Sequence, residues 1–453
     1  MSNAAVSNSS VSHSKDSTST HSESCASTNS SKSSTSSSKS STNSNKTSTV
    51  QKESDSSRLL PESKAPIQVD ETHQLTFITT ENLRIPTLKI LQENGVEFED
   101  AMDVSLNKDV ALRSYKAMQY IRVLDERMVA AQRQGRLSFY ITCTGEEASV
   151  VGSAAALQPT DMIMGQYREQ AALRYRGFTT EQFMGQLLGN EMDLGKGRQM
   201  PVHYGSKELH YMTISSPLAT QIPQAAGYAY GQKLAGKGEC TLCYFGEGAA
   251  SEGDFHAGLN MAAVQNAPVI FVCRNNGYAI STPTEEQYRG DGIASRGVGY
   301  GIKTIRVDGN DLLAVYTATV AAREFAVSNS EPVLIECMTY RLGGHSTSDD
   351  PSGYRGKDEE DEWKTKDPIN RFKHWLLSKN WWSADDDSVL LEEYRTEVLD
   401  VLKKVEKMPL QPLRTLITDV YEQPSSQLEA QLNELEEHLR QYPEHYPASA
   451  GRL

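Results

Sequence analysis

From about residue 135 to Met338, short apolar runs alternate with stretches of helical periodicity. The runs are DMIMGQY, TLCYFGEG, PVIFVCRNNGYAI and PVLIECMTY, with a helix predicted near Thr180–Leu188 and another between the second and third runs. Strands that lack polar alternation are buried on both faces. The pattern therefore predicts an α/β fold, a parallel sheet with helices on both faces. Ahead of it, residues 108–134 carry a helical spacing that stops at Gly135, a residue suited to ending a helix. Leu75 to Met102 reads as an extended, proline-broken lead-in, and beyond Pro368 the chain reads as a charged, peripheral helical extension. The expected divisions are a tail at 1–57, a lead-in at 58–107, the α/β domain at 108–367 and the helical extension at 368–453.

Composition changes this picture at the N-terminus. From Met1 to about Ser57, Ser, Thr and Asn dominate and aromatics are absent, so the tail buries too little apolar surface to offset its ordering entropy and is expected to be disordered. It is Ser-rich, as import presequences are, but its first arginine is Arg58, so it is not a clear targeting signal. The chain of 453 residues carries 59 acidic against 45 basic residues, a net charge of −14, and no Lys/Arg cluster, which argues against a nucleic-acid partner. No apolar run is long enough for membrane insertion. The six cysteines are scattered, as in a reducing compartment. Cys240 and Cys243 fall in a predicted strand, where residues three apart face opposite sides, so no shared metal or redox role is expected.

The most informative stretch is Thr241 to Thr282, TLCYFGEGAASEGDFHAGLNMAAVQNAPVIFVCRNNGYAIST. It reads strand, turn, helix, strand, loop, with Glu247 and Asn276 at two strand ends. Open parallel sheets bind ligands outside the carboxyl ends of their strands. A carboxylate and an amide oxygen converging there form a half-shell for Mg²⁺, which combines a few protein oxygens with phosphate oxygens. Gly246 and Gly248 let backbone approach a ligand, and the amides that open the next helix can face an anion. A βαβ unit with a plain glycine turn is the alternative. Upstream, Arg168 in GQYREQ is placed to pair with phosphate oxygens or to make a surface ion pair. SSP at Ser215–Pro217 also reads as a helix N-cap followed by proline in the first turn. His345 emerges in a turn-rich loop, TYRLGGHSTSDDPSGYRG, where a solvated histidine is the ordinary case.

GEG, twenty-six intervening residues and Asn275-Asn276 resemble the thiamine-diphosphate motif, with Glu247 in place of the usual Asp. The wider wording, GEGAASEGDFHAGLN and CRNNGYAISTPT, resembles the alpha subunits of branched-chain 2-oxo acid dehydrogenases more than those of pyruvate dehydrogenase. The resemblance runs from about Thr76 to Pro447 and implies a thiamine-diphosphate-binding fold. It implies that Glu247, Asn276 and the Tyr278 carbonyl hold Mg²⁺. Gln166, Tyr167, Arg168, Ser216, Leu218, Gly248, Ala249, Arg274 and Ile280 would contact the cofactor. Ser215, the Pro217 carbonyl, Thr220 and Gln221 would bind K⁺. His345 would be the catalytic histidine beside the cofactor, assisting proton transfer and acyl transfer to lipoyl. Ser346 matches a regulatory phosphoserine, whereas Gly356 stands where many relatives have a second, and Pro351 departs from the commonest wording.

The resemblance further implies oxidative decarboxylation of branched-chain 2-oxo acids, with thiamine diphosphate as electron sink. The glutamate that activates the cofactor would come from a beta subunit, in a two-alpha, two-beta tetramer feeding a lipoyl-bearing dihydrolipoyl acyltransferase core in the mitochondrial matrix. A regulatory kinase and phosphatase would act at Ser346. Pyruvate or acetoin dehydrogenase chemistry and a non-catalytic cofactor-binding scaffold are the other readings.

Overall fold

The computed structural model describes residues 72–79 and 83–446, so the tail at 1–57 lies outside the described residues. The elements below belong to the unit Thr76–Leu453. Its strands are β1 (Thr87–Leu88), β2 (Met162–Met164), β3 (Tyr211–Met212), β4 (Thr241–Gly246), β5 (Val269–Asn275), β6 (Tyr278–Ala279), β7 (Thr282–Pro283), β8 (Lys303–Asp308) and β9 (Val333–Met338). Its helices are α1 (Lys108–Arg133), α2 (Glu147–Ala155), α3 (Gln170–Arg176), α4 (Thr180–Leu188), α5 (Gln221–Ala235), α6 (Gly253–Gln265), α7 (Thr284–Gln287), α8 (Ala294–Gly299), α9 (Leu312–Asn329), α10 (Lys357–Thr365), α11 (Pro368–Ser378), α12 (Ala384–Val405), α13 (Thr415–Thr418) and α14 (Ser426–Gln441).

Seven strands form one sheet in the order β1-β8-β9-β5-β4-β2-β3. Every neighbouring pair is parallel. The central strands are apolar throughout because both faces are covered. In β4, Leu242 and Tyr244 join one core layer while Cys243 and Phe245 join the other, and in β5 Ile270 and Val272 part from Phe271 and Cys273 in the same way. The first layer receives α1, α2, α3 and α9, and the second receives α5 and α6. Cys240 and Cys243 lie in different layers, as expected for strand residues three apart. Cys143, Cys240, Cys243, Cys273 and Cys337 are all buried free thiols.

Local chemistry explains the element ends. Asn107 caps α1 by accepting the Val110 N–H at 2.9 Å. Thr179 and Gln182 form a reciprocal capping box at α4. Asp311 caps α9 through the Leu313 and Ala314 amides, and its other oxygen accepts the Ile90 and Leu91 amides at 2.7 and 2.6 Å. One buried carboxylate thus ties the lead-in to the sheet domain, and β1 completes the tie by pairing with β8. The C-terminal part is helical, and its inner helices reach the core through Phe372, Trp375, Leu376, Val398 and Leu402. Three strands of the seven-stranded sheet were absent from the sequence reading. β1 and β3 span two residues each, and β8 is the polar run KTIRVD, whose hydrophobic signal is weak.

Sheet order fixes where neighbouring strand ends part. Chain leaving β2 runs outward to β3, whereas chain leaving β4 returns to β5 on the opposite side. The adjacent carboxyl ends of β2 and β4 therefore diverge, opening a crevice at the topological switch point.

Helices α5 and α6 pack closely against each other on the second core layer. A Cβ on Gly258 would lie 2.8 Å from Ile222 Cγ2 and 2.9 Å from the Pro223 backbone nitrogen. Gly258→Val is expected to destabilise the fold by about 3 kcal/mol, the upper part of the overpacking range. Denaturant unfolding checks this, and a midpoint equal to that of the unmodified chain would refute the close-packing argument.

Candidate functional site

Four strand ends supply the site. Gln166, Tyr167 and Arg168 follow β2, Glu247 opens a 3₁₀ turn directly after β4, Asn276 follows β5, and His345 stands in the loop beyond β9. They line one cavity of about 330 Å³ together with Leu218, Gly248, Ala249, Arg274, Tyr278, Ile280 and Arg341. The Gly246 N–H donates to Gln166 Oε1 at 2.9 Å, bridging the β2 and β4 ends. A Cβ on Gly248 would lie 2.7 Å from that of Ala279, so glycine is what lets the turn close against β6. β6 and β7 form an antiparallel hairpin, so NGYAI turns over the cavity instead of extending the sheet. Ile280, between them, has φ of 57°, a strained value for a β-branched residue.

Beneath the cavity, Arg274 is fully buried between two carboxylates, hydrogen-bonding Glu146 and ion-pairing with Glu169 at 2.5 Å. Glu169 also accepts the Gln166 and Tyr167 amides, both at 2.8 Å, which shapes the turn that presents Arg168. Arg168 and Arg341 are 2% exposed, yet among the described residues neither makes an ion pair. Arg168 donates to the Thr142 and His345 carbonyls, each at 2.6 Å, and Arg341 to the Ile280 carbonyl and the Tyr354 hydroxyl. Burial excludes the surface ion-pair reading of Arg168. Two buried cations facing a cavity without a carboxylate partner are suited to an anion.

Glu247 is 1% exposed. Its Oε2 accepts the Asn276 N–H at 3.3 Å, while Oε1 has no hydrogen-bond partner. Burial pushes its carboxyl up to about 7. The sequence placed this carboxylate at a strand end; it is at the end and it is buried. An orphaned carboxylate oxygen beside unpaired guanidinium groups fits a cation bridging to a polyanion. Asn276 Oδ1 accepts the Tyr278 N–H at 3.2 Å and retains a second lone pair.

His345 packs edge-to-face on Tyr167, with ring centroids 5.9 Å apart. Its Nδ1 lies 3.2 Å from Arg168 Nη2, and since the guanidinium only donates, Nδ1 is the acceptor and Nε2 carries the proton. Burial, reinforced by Arg168 and Arg341, lowers its pKa to about 4. The loop is ordered by Asp349, which accepts the His345 N–H and the Tyr354 hydroxyl. Ser346 Oγ accepts the Ser348 N–H at 3.2 Å, closing a Ser turn. Pro351 opens a short 3₁₀ turn capped by Asp350.

Ser215, Pro217 and Thr220 form a second oxygen cluster. Thr220 Oγ1 lies 3.1 Å from Ser215 Oγ and 3.0 Å from the Pro217 carbonyl, and Gln221 Nε2 donates to the Tyr244 carbonyl. Helix α5 begins only at Gln221, with no side-chain cap, so SSP is a bend ahead of a turn and not a helix start. Ser216 turns to His203, its Oγ 2.8 Å from Nε2, while His203 Nδ1 faces the Pro201 carbonyl. His203, Arg341, Glu146 and Glu169 went unread in the sequence. The acidic doublet in TGEEAS, set between apolar stretches, was the available signal for Glu146.

Residues 115–414 match the family described as dehydrogenase E1 component. This chain belongs to that family. The E1 chain is 53% identical to human mitochondrial 2-oxoisovalerate dehydrogenase subunit alpha over 364 residues, 80% of this chain and 82% of that protein. It is 50% identical to subunit alpha 1 from Arabidopsis thaliana over 84% of this chain and 81% of that one, and 51% identical to the Dictyostelium discoideum subunit over 80% and 83%.

In this E1 chain the fold favours neutral His345. Because its folded pKa lies below the ordinary value of 6.5, the unfolded chain takes up this proton first as pH falls. The group therefore weakens the fold as pH drops from about 6.5 toward about 4 and is neutral in effect above that window. NMR of the His345 imidazole, assigned with His345→Ala, should show no titration between pH 8 and about 5. A midpoint near 6.5 would refute the buried, arginine-flanked placement.

Proposed function

We propose that this E1 chain is the alpha subunit of a branched-chain 2-oxo acid dehydrogenase, acting with thiamine diphosphate, Mg²⁺ and K⁺. The observation that carries the reading is one cavity holding both the orphaned Glu247 oxygen and the unpaired cations Arg168 and Arg341. The names of its relatives support the substrate class, branched-chain 2-oxo acids, and a mitochondrial location, for which the matrix is the compartment proposed. Glu247, Asn276 and the Tyr278 carbonyl would hold Mg²⁺, and Ser215, the Pro217 carbonyl, Thr220 and Gln221 would hold K⁺. Bound thiamine diphosphate supplies an electron sink for loss of CO₂.

The chain's own residues do the rest. Arg168 and Arg341 bind the anionic end of the cofactor, and Gln166, Tyr167 and Arg274 fix the wall behind it. Leu218, Gly248, Ala249 and Ile280 line the cavity and would contact the cofactor, as would Ser216, whose hydroxyl turns to His203. Neutral His345 presents its Nε2 proton as a hydrogen-bond donor toward the cavity and would assist proton and acyl transfer to lipoyl from there. A beta subunit would complete the tetramer and supply the activating glutamate, and a lipoyl-bearing acyltransferase core would accept the acyl group. Ser346 would be the target of a regulatory kinase, since a phosphate there adds about −1.5 to −2 charge beside Asp349 and Asp350.

Protonated Glu247 cannot ligate a metal. Since its carboxyl titrates at about 7, Mg-dependent thiamine diphosphate binding should weaken roughly tenfold per unit as pH falls below that value. Titration calorimetry measures this, with Glu247→Ala expected to abolish the dependence. Wild-type affinity in the Ala variant would sink the metal assignment.

The alpha chain alone should release no CO₂ from any 2-oxo acid. Reconstituted with beta, it should prefer 3-methyl-2-oxobutanoate to pyruvate, by a margin of about 10–200-fold if the pocket discriminates by methylene contacts. Preference for pyruvate would overturn the substrate assignment, and turnover without beta the assembly.

A further inference from the structure

We infer that Glu146 is a positioning residue that sets the polarity of the Asn276 amide, holding its nitrogen away from the cavity and its oxygen toward the metal position. Glu146 is fully buried, in the residue just before α2. It makes no capping bond to that helix, so its carboxylate is free for other work. Oε1 accepts Asn276 Nδ2 at 2.8 Å, and Oε2 accepts Arg274 Nη1.

A carboxylate has only acceptors, so the group facing it must be the NH₂ end of the amide. Two ends of an amide have the same shape and are told apart only by their partners. With nitrogen committed to Glu146, Oδ1 is left for the Tyr278 N–H and the cavity. Burial opposes ionisation of Glu146, but Arg274, Arg168 and the Asn276 amide outweigh it and keep its pKa below the ordinary value. The Tyr278 N–H favours the same orientation through a longer, uncharged bond of 3.2 Å.

The consequence of neutralising Glu146 follows from Arg274. In Glu146→Gln the guanidinium still needs an acceptor, so the new amide gives its oxygen to Arg274 and turns its NH₂ toward Asn276. Two NH₂ groups cannot face each other. Asn276 must then reverse, offering Oδ1 to the glutamine and its nitrogen to the metal position. Carboxylate oxygens, by contrast, are interchangeable. In Asn276→Asp the side chain faces Glu146 acceptor to acceptor, and Glu146→Gln relieves that clash.

This inference rests on the magnesium reading above, and the test separates the two. The reconstituted tetramer is saturated with thiamine diphosphate, and Mg²⁺ dissociation is measured by titration calorimetry, independent of turnover. Glu146→Gln should weaken Mg²⁺ binding by about 10–100-fold, as loss of an outer-shell partner does. Placed on Asn276→Asp, the same substitution should strengthen binding relative to Asn276→Asp alone. That reversal of sign distinguishes amide orientation from a general structural role, which weakens binding in both backgrounds. It remains readable if the single variant assembles poorly. Equal weakening in both backgrounds, or no effect in the first, would overturn the role of Glu146. No Mg-dependent binding in the unmodified tetramer would overturn the magnesium reading and this inference with it.

Discussion

One buried cation organises the carboxyl edge of the sheet. Arg274, the sixth residue of β5, is buried at the cavity wall and is clamped between Glu146, which leads into α2, and Glu169, which leads into α3. Each carboxylate spends its second oxygen on the site, Glu146 on Asn276 and Glu169 on the turn that carries Arg168. The guanidinium therefore couples the ends of β2 and β5 through two intermediates that never line the cavity. Removing either carboxylate would leave a buried charge underpaired, a loss on the order of 3–5 kcal/mol. The cluster is expensive to bury, and its return is a fixed relation among groups that come from segments a hundred residues apart in sequence.

Around that fixed point the cavity is electrostatically unfinished. Arg168 and Arg341 are buried with only neutral acceptors, and Glu247 has an oxygen with none. Opposite charges are held near one another without meeting. Val202, Ala219 and Ile280 also sit next to His203, Leu218 and the β6 hairpin with φ of 66°, 67° and 57°. Each such conformation costs on the order of 1–3 kcal/mol. Strain and uncompensated charge at one place are what a preorganised binding site looks like when its ligand supplies the missing partners.

Much of this was legible in the chain. The uniform apolarity of TLCYFG and VIFVC required a sheet buried on both sides, and from that followed strand ends where Glu247 and Asn276 meet. Helix limits were readable where capping chemistry is local, as at Thr179–Gln182. Long-range pairings were not. Asp311 gripping Ile90 and Leu91 spans more than two hundred residues, and nothing in VDGNDLL specifies a partner so distant. β8 hid because Lys303, Thr304, Arg306 and Asp308 dilute its apolar signal, although Arg306 is neutralised by Asp291 and Glu336 in the fold. Arg341, Glu146 and Glu169 stand out only through their buried geometry, and as letters they are ordinary surface charges.

The distribution of sulfur sets the protein's chemical durability. All five described cysteines are buried, and burial raises their pKa values, to about 12 for Cys337 and well above the ordinary range for Cys143, Cys243 and Cys273. Peroxides and electrophiles attack the thiolate, a form that these side chains do not adopt while folded. The folded chain is thus shielded at these five cysteines from the oxidants that accompany oxidative metabolism. The shield lasts only as long as the packing, so oxidative damage at these positions would mark molecules that have already opened, converting a transient loss of structure into a permanent covalent record.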